Sequence, residues 1–296
     1  MILLTGTSGF IGTHLLSKLI EIYGNENIVA LTSKPITACK YILSNDYNFD
    51  EDYFIRCGFE NIETIIHAGA YTPKASSEGN NIGLCNSNIT STGKLLTSNL
   101  PKIKNFVFFS TLDVYGYDNP ITEETQLLPA SLYGHSKLYC EQMISAWAVQ
   151  KEICHQILRI GHVYGEGEEK YQKIIPLTIQ RLLSETPLQI YEEGEEIRSF
   201  IYITDVIDAI MNSLVLNKFA GIINVVGDEK ISIYNLIKKL ILISGMSPKI
   251  NKIQAKNAPR DLVFNNSKMK EILGTPKVGI KEGLINEWNY MKNLSK

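Results

Sequence analysis

The sequence lacks the features that would tie the chain to nucleic acid or to a membrane. Its 296 residues carry a formal net charge of −2, so we expect no general electrostatic attraction to a polyanion. No apolar run approaches the roughly 20 residues of a membrane span, and the apolar Met1 to Leu4 lacks a basic leader. We therefore expect a soluble, cytoplasmic protein with neither a nucleic-acid nor a membrane partner.

Cysteines are few and show no pattern. The five are Cys39, Cys57, Cys85, Cys140 and Cys154, and no two of them stand at the spacing of a metal site or a redox pair. The sequence therefore predicts no disulfide framework and no metal site, as in a protein of a reducing compartment.

Apolar segments of strand length alternate with longer helical segments over about 160 residues, the pattern of an α/β protein. The predicted strands are Met1–Thr5, Asn27–Leu31, Tyr41–Leu43, Glu63–Ala70, Asn105–Phe109 and Ile153–Leu158. We expect a doubly wound, mostly parallel sheet with helices on both faces. The length exceeds that of one hydrophobic core, which indicates a smaller second domain.

A glycine-rich turn joins the first strand to the first helix. Its spacing, G-x-x-G-x-x-G from Gly6 to Gly12, differs by one residue from the commoner dinucleotide fingerprint. Glycines here would allow a tight turn and the approach of a pyrophosphate to backbone N–H groups at the helix N-terminus. The cofactor-binding residues predicted in this turn are Gly6, Ser8, Gly9, Phe10, Ile11 and Gly12.

The second strand ends in Thr32, Ser33 and Lys34, where a site for NAD usually has an acidic residue. A hydroxyl and a positive charge could instead hold a 2′-phosphate, so these residues favour NADP over NAD. The alternative is a solvated loop lysine. Further along, Asp46 could receive the adenine amino group, and Ala68, Gly69 and Ala70 would lie beside the cofactor at the end of the fourth strand.

Tyr133 and Lys137 stand four positions apart at the start of a helical segment, and their side chains therefore share one face. An ammonium near a phenol favours the phenolate, so we expect the pKa of Tyr133 to fall from about 10 toward the range of a general acid or base. Thr111, at the carboxyl end of the fifth strand, is well placed for chemistry. An ordinary helix surface pair and a threonine that caps a turn are the alternatives.

The order of these motifs resembles that of the extended short-chain dehydrogenases/reductases that act as nucleotide-sugar epimerases, dehydratases and reductases. The motifs that match are Thr5-Gly6 to Gly12, His67 to Ala70, Asn88, Ser110-Thr111 with Val114-Tyr115-Gly116, Tyr133 with Lys137, Arg159 with Val163-Tyr164-Gly165, Arg198 to Val206, and Asn224 to Gly227. The resemblance implies a Rossmann domain at 1–166 plus about 198–226, with Asn88 beside the NAD or NADP. It also implies a smaller domain for a nucleoside-diphosphate sugar at about 167–197 plus 227–296.

The resemblance also implies roles for single residues. Tyr133 would exchange a proton with the sugar, Thr111 would share the sugar oxygen, and Lys137 would bond the nicotinamide ribose and lower the pKa of Tyr133. Arg198 and Arg260 would bind the substrate phosphates. Substrate contacts are also expected at Asp113 and His162. In addition, the family implies a homodimer, for which Leu84–Leu100 and Tyr139–Val149 are candidate helices.

Three departures from the family pattern narrow the reaction. Dehydratases carry an acidic pair after the catalytic threonine, but Leu112 cannot donate a proton, which disfavours water elimination. His162 replaces an asparagine of many members, as in a subset that includes deoxysugar 4-ketoreductases, and the acid after strand two is absent. We therefore slightly favour an NADPH-dependent 4-keto-6-deoxysugar reductase. The alternative is an NAD-dependent 4-epimerase, and a non-catalytic cofactor-sensing protein is a distant third.

Overall fold

The structure is a computed structural model that describes residues 1–44, 46–116, 119–254 and 260–295. The chain forms two compact units. The first contains Met1–Gly116, Gln126–Ile160 and Ile207–Ile223, and the second contains the described residues of Tyr117–Thr125, Gly161–Val206 and Asn224–Lys296. No helix in the described ranges is long and apolar enough to cross a membrane.

Strands and helices alternate along the first part of the chain. They are β1 (Ile2–Thr5), α1 (Phe10–Tyr23), β2 (Ile28–Thr32), β3 (Lys40–Leu43), α2 (Tyr53–Arg56), β4 (Thr64–His67), α3 (Ile82–Thr97), β5 (Asn105–Thr111), α4 (Leu132–Gln150) and β6 (Cys154–Ile160). The later elements are β7 (His162–Tyr164), α5 (Ile174–Leu183), β8 (Leu188–Tyr191), β9 (Ile197–Tyr202), α6 (Ile203–Ser213), β10 (Ile222–Val225), β11 (Lys230–Ser232), α7 (Ile233–Ser244), β12 (Ile250–Ile253), α8 (Ser267–Ile272) and α9 (Ile280–Leu294).

A seven-stranded sheet with the order β10-β6-β5-β4-β1-β2-β3 forms the first unit's centre, and the strands from β3 to β6 pair in parallel. The predicted doubly wound, mostly parallel α/β fold is therefore confirmed. Every residue of β2 is buried, as are the last six residues of β5, because helices cover both faces of such a sheet. Apolar strand residues thus form the core on which the site is built.

The strand ends differ from the prediction in a way that matters for the site. The fourth strand was expected to continue to Ala70, but β4 ends at His67. Its partner β1 ends at Thr5, and the chain then turns at Gly6 with a φ of +74°, so residues beyond His67 have no β1 residue to pair with. On the other side, β5 continues past Phe108, the partner of His67, but β4 does not follow it. Conversely, β5 continues to Thr111, which places that hydroxyl at the carboxyl end of the sheet.

The second unit contains smaller sheets. β9 lies between β7 and β11, and β8 pairs with β12 in parallel. Helices α5, α7 and α9 pack against one another. Residues 161–206 belong to this unit, whereas the sequence assigned 198–226 to the cofactor domain; the assignment of cofactor and substrate to separate domains stays a prediction.

Candidate active site

The glycine turn after β1 is built for close backbone approach. A Cβ on Gly6 would stand 2.6 Å from the backbone nitrogen of Gly69, and a Cβ on Gly12 would stand 2.0 Å from the carbonyl oxygen of Gly6. Gly9 is the N-cap of α1, whose first turn contains no acidic residue. These positions exclude side chains and leave backbone N–H groups at a helix N-terminus, an arrangement that fits a dinucleotide pyrophosphate.

Around this turn, the predicted cofactor residues differ in exposure. Ser8 is exposed, whereas Phe10 is buried, with its ring 5.8 Å from that of His14. Ile11 is half-buried. The Phe10 side chain is therefore packed inside the fold, whereas part of the Ile11 side chain is accessible; the contacts of both residues with a cofactor stay a prediction.

The end of β2 is less suited to a 2′-phosphate than its sequence suggests. The Thr32 hydroxyl is buried, donates to the carbonyl oxygen of Lys34 at 3.1 Å and accepts from the Lys34 nitrogen at 3.3 Å. Ser33 and Lys34 are exposed. Because the Thr32 hydroxyl donates its hydrogen bond within the turn, a 2′-phosphate here would meet the solvated side chains of Ser33 and Lys34.

The next predicted cofactor contacts lie after β3 and β4. Asp46 is exposed, and its carboxylate accepts from the Asn48 nitrogen at 3.1 Å. Tyr47 is buried beside it, and a Cβ on Gly69 would stand 2.5 Å from the Tyr47 hydroxyl. Ala68, Gly69 and Ala70 are half-buried. Only a residue without a side chain at position 69 therefore leaves room for the Tyr47 hydroxyl.

Asn88 fixes the chain that follows β4. Its side-chain oxygen accepts from the Tyr71 nitrogen at 2.7 Å, and its side-chain nitrogen donates to the Tyr71 oxygen and to Ser136 Oγ, each at 3.2 Å. Ser136 in turn donates to the carbonyl oxygen of Tyr133 at 2.8 Å. Asn88 was predicted to lie beside the cofactor, and the structure assigns it a defined structural task next to the Tyr133 backbone.

Thr111 and Tyr133 meet because α4 approaches the end of β5 closely. Ser131 caps α4 by accepting from the Gly134 nitrogen at 3.1 Å. A Cβ on Gly134 would stand 2.4 Å from the carbonyl oxygen of Asp113, so only glycine permits this approach. As a result, the Thr111 side chain acts on the Tyr133 phenol and lowers its pKa, against the effect of burial. The Thr111 hydroxyl accepts from the Asp113 nitrogen at 3.2 Å, so it also caps the turn after β5, which was the alternative role for this threonine.

The buried face of α4 is unusually polar. It carries Tyr133, Ser136, Lys137 and Glu141, all less than 8% exposed. The Lys137 Nζ lies 4.2 Å from the centroid of the Phe108 ring. An ordinary surface pair of tyrosine and lysine, the alternative that the spacing left open, is therefore excluded.

Burial reverses the expected pKa of the phenol. The pKa of Tyr133 is raised to about 12 by burial and by the charge of Asp113, and hydrogen bonds with Thr72 and Thr111 only partly oppose this. The pKa of Lys137 is lowered to about 8 by its own burial. The predicted fall of the Tyr133 pKa is thus wrong for the protein without a cofactor, because both groups lose hydration together.

His67 is a structural residue. Its Nδ1 lies 2.9 Å from Thr5 Oγ1 and its Nε2 lies 3.0 Å from Thr92 Oγ1, which itself donates to the carbonyl oxygen of Asn88. Thr92 must therefore accept from the ring, which places the proton on Nε2. Burial, followed by the charge of Lys137, lowers the pKa of His67 to about 3 and keeps the ring neutral.

A buried ion pair that the sequence analysis did not identify supports the site. Arg159 donates to Glu141 through Nε at 3.0 Å and Nη2 at 2.7 Å, and Ser110 also donates to this carboxylate. The guanidinium lies 4.7 Å from the Tyr115 ring. Glu141 follows Lys137 by four positions, so the helical spacing contained the signal. The pair connects α4 to the ends of β5 and β6.

The second unit brings Arg198 and Arg260 together. Arg198 on β9 forms a bridge with Leu262, and its Nη1 donates to the carbonyl oxygens of Ile197, at 2.9 Å, and Arg260. On the neighbouring strand β7, His162 pairs with Phe200. Burial, followed by the charges of Arg198 and Lys173, lowers the pKa of His162 to about 3, so it is a neutral hydrogen-bonding group.

Comparisons with known proteins agree with this architecture. Residues 2–226 match the model of the NAD dependent epimerase/dehydratase family. The uncharacterized UDP-glucose epimerase YtcB of Bacillus subtilis is 29% identical over 311 residues, which cover 99% of this chain and 98% of that protein. Human dTDP-D-glucose 4,6-dehydratase is 27% identical over 318 residues, which cover 99% and 90%.

Solved structures give the same result. The UDP-glucuronic acid 4-epimerase of Bacillus cereus, crystallised in complex with UDP-glucuronic acid and NAD, superposes with a TM-score of 0.87 at 27% identity over 99% of each chain. The family match and the parallel sheet with its glycine turn and Thr/Tyr/Lys set lead to the same assignment. The chain belongs to the NAD dependent epimerase/dehydratase family of extended short-chain dehydrogenases/reductases.

Proposed function

We propose that the protein is an NAD-dependent 4-epimerase of a UDP-linked hexose. The observation that carries the proposal is the close approach of α4, with Tyr133 and Lys137 on its buried face, to the end of β5, where Thr111 lies and Leu112 stands in place of a dehydratase acid. This set can move one proton at a sugar hydroxyl, and it contains no acid next to Thr111 to expel water.

Residues of the first unit would bind the cofactor and transfer the proton. The glycine turn would hold the pyrophosphate of NAD on backbone N–H groups, and Lys137 would bond the nicotinamide ribose. Bound NAD supplies reversible oxidation at carbon 4 of the sugar. Tyr133 accepts the proton of the 4-hydroxyl and later returns it, while Thr111 orients the oxygen. Because the pKa of Tyr133 is about 12 without cofactor, the phenolate needs a positive charge beside it.

This proposal replaces the slight preference for a 4-ketoreductase. That preference depended on NADP, whose 2′-phosphate would be held by Ser33 and Lys34, two exposed side chains whose contacts are weakened by solvent. The solved relative from Bacillus cereus binds NAD, and NADP is not supported. A 4-epimerase is also what that relative is named for, and the Bacillus subtilis protein is named for a UDP-glucose epimerase.

The second unit would bind the nucleoside diphosphate. Arg198 and Arg260 are neighbours, and two guanidinium groups match the charge and geometry of a diphosphate. The neutral ring of His162 would contact the nucleotide by hydrogen bonds. In the first unit, the exposed Asp113 would contact the sugar. UDP-glucose and UDP-glucuronic acid are the substrates to test, since the relatives are named for them.

We also propose a homodimer through α4. Leu132 and Tyr139 are seven positions apart, so they lie on one face of this helix, and they are 40% and 53% exposed. On α3, which packs against α4, Ile82 is 73% exposed. A shared apolar face of this kind is suited to an isologous contact. Light scattering should show a dimer for the native chain and a monomer for Tyr139→Glu.

Net cofactor use distinguishes the candidate reactions. The purified protein is incubated with UDP-glucose, UDP-glucuronic acid or a 4-keto-6-deoxy nucleotide sugar, with NAD or NADPH. We expect interconversion of carbon-4 epimers without net oxidation of NADPH, and tighter binding of NAD than of NADP. Stoichiometric consumption of NADPH with the keto sugar, together with no epimerisation, would establish the reductase instead.

A further inference from the structure

A chain of buried hydrogen bonds runs from the loop after β4, through three side chains, to helix α3. The Gly69 nitrogen donates to Thr5 Oγ1 at 2.7 Å, and this oxygen lies 2.9 Å from Nδ1 of His67. On the other side of the ring, Nε2 lies 3.0 Å from Thr92 Oγ1, which donates to the Asn88 carbonyl oxygen at 2.8 Å. The three side chains are at most 2% exposed, so solvent does not compete for these bonds.

Both ends of the chain are backbone groups, and they fix the direction of every bond in it. The Gly69 N–H can only donate, and the Asn88 carbonyl can only accept. Because Thr92 gives its one hydrogen to Asn88, it accepts from Nε2–H of the ring, and Nδ1 then accepts from the Thr5 hydroxyl. Burial lowers the pKa of His67 to about 3, so the ring is neutral. A single tautomer therefore satisfies the whole chain.

Aromatic neighbours hold the imidazole of His67 in place. Its ring centroid lies 6.2 Å from that of Tyr47, 6.1 Å from that of Phe106 and 5.6 Å from that of Phe108. All three neighbours are buried. The ring therefore has little room to turn, and the packing sets the positions of its two nitrogens.

The chain fastens the loop 68–71 to the glycine turn after β1. A Cβ on Gly69 would stand 2.9 Å from the backbone nitrogen of Gly6, so the backbones of the two glycines are in contact. At the other end of the loop, the Asn88 side chain accepts from the Tyr71 nitrogen at 2.7 Å and donates to the Tyr71 oxygen at 3.2 Å. The loop is thus held at one end by the chain and at the other by the residue in which the chain ends.

A 4-epimerase must retain its reduced cofactor until the hydride returns to the sugar, because early release would leave the keto sugar unreduced. In this protein the pyrophosphate would be held by backbone N–H groups of the glycine turn, which includes Gly6. Such groups bind well only where the backbone is fixed before the ligand arrives. The contact between Gly6 and Gly69 therefore matters for retention, and the chain keeps that contact closed.

We propose that Thr92 is a positioning residue for the cofactor, which acts through His67 and Thr5 to hold Gly69 against the pyrophosphate turn. The inference rests on the proposed 4-epimerase function. Thr92 is 1% exposed, so it acts on the cofactor through the chain. Without its hydroxyl, Nε2–H of the ring loses its acceptor. A shift of that proton to Nδ1 would give Thr5 Oγ1 a second donor and remove the acceptor of its own hydrogen.

The test compares Thr92→Val, which has the same shape without the hydroxyl, with Thr92→Ser, which keeps it. Thr90→Val is the matched control, because the Thr90 hydroxyl also donates to a carbonyl four positions back, that of Asn86, but is exposed on α3. Calorimetry at a temperature where every variant is folded gives the dissociation constants of NAD and NADH. In Thr92→Val both should rise about tenfold, the scale of one buried hydrogen bond.

Two further readouts separate positioning from a purely structural role. During turnover, Thr92→Val should release about tenfold more NADH per sugar epimerised than the native protein, whereas Thr92→Ser and the control should release the native amount. A purely structural role would lower the melting temperature of Thr92→Val and leave both dissociation constants unchanged, and that result overturns the proposal.

Nitrogen-15 NMR of the histidine rings tests the chain in the native protein, with His67 assigned through its backbone signals. The ring should carry its proton on Nε2, and a proton on Nδ1 overturns the proposal even if Thr92→Val does not fold. If no sugar is epimerised, the proposed function fails alone, because Thr92 is then judged by cofactor affinity and by the ring proton, which are measured without sugar.

Discussion

The close approach of α4 to the end of β5 can be tested by substituting one helix glycine, Gly134, with a second helix glycine, Gly93, as the matched control. Gly134 in α4 would place a new Cβ 2.4 Å from the carbonyl oxygen of Asp113, whereas a Cβ on Gly93 in α3 would meet nothing within 4 Å. Alanine raises helix propensity equally at both sites, by about 0.5–1 kcal/mol. The two variants therefore differ in the contact alone.

The distance between the new Cβ of Gly134→Ala and the Asp113 carbonyl oxygen determines how much stability and turnover the variant loses. To reach the 3.4 Å of ordinary contact from 2.4 Å, α4 or the Asp113 segment must move by 1.0 Å. Overpacking of this kind costs about 1–3 kcal/mol, so Gly134→Ala should lose up to about 2.5 kcal/mol after the propensity gain. Because the shift separates Tyr133 from Thr111, turnover should also fall, by a factor on the order of 10 to 100.

Thermal unfolding, epimerisation rate and NAD affinity are measured for both variants. Gly93→Ala should be slightly more stable than the native protein and fully active. Gly134→Ala should be less stable and slower, with NAD affinity retained. Equal stability and equal turnover in the two variants would refute the argument that Gly134 sets the distance between Thr111 and Tyr133.

Two further predictions concern the second unit. Arg198→Ala should weaken UDP-hexose binding, measured by calorimetry, by about 1.5–3 kcal/mol, the scale of a hydrogen bond to a charged group. Arg181→Ala on α5 is the control. If Arg198→Ala binds the UDP-hexose as tightly as the native protein, Arg198 does not bind the phosphates. Burial and the charges of Glu168 and Glu169 raise the pKa of Glu287 to about 9, so Glu287 is protonated in the folded protein at neutral pH. In the unfolded chain Glu287 ionises near pH 4.5, so the folded state loses stability as pH rises from about 4.5 toward 9. Glu287→Gln should therefore stabilise the protein at pH 8 by about 1–3 kcal/mol and have little effect on stability at pH 4.5. The control Glu282→Gln, on the exposed side of α9, should show no such pH-dependent gain. A gain in stability for Glu287→Gln that does not depend on pH would contradict this prediction.

The sequence predicts the fold well because the signals are local. Continuous apolar strands, glycines at the first strand-to-helix turn and the spacing of Tyr133 and Lys137 need no long-range information. The strand ends are less predictable. β4 stops at His67, level with the end of β1 at Thr5, whereas β5 on its other side continues to Thr111. Where β4 ends thus depends on segments that are far apart in the sequence.

The electrostatics of the site could not be predicted from spacing. The four-residue interval between Tyr133 and Lys137 shows that their side chains share a face, but not that this face is buried. Burial raises the pKa of Tyr133 and lowers that of Lys137, which is the opposite of what an exposed pair would do for the phenol. Similarly, Thr32 appears as a free hydroxyl in the sequence, whereas its hydrogen is used by Lys34.

Contacts from a distant loop were also beyond the sequence. In the segment between β4 and α3, the backbone of Tyr71 is held by the Asn88 side chain, and the carbonyl oxygen of Gly79 accepts from the Tyr133 nitrogen, so its place depends on α3 and on the start of α4. Glu141 was detectable in principle, since it lies one and two helical turns beyond Lys137 and Tyr133. Its buried partner, Arg159, was noted as a family mark but without a role.

The central claim is that Tyr133 moves the proton during epimerisation at carbon 4, and Tyr133→Phe tests it most directly. Native protein with NAD should convert a UDP-hexose into a mixture of its carbon-4 epimers without net formation of NADH. The variant should bind NAD as tightly and interconvert the epimers more slowly, by a factor on the order of 100 or more, since it lacks the phenol proton. Near-native interconversion by Tyr133→Phe would contradict the account.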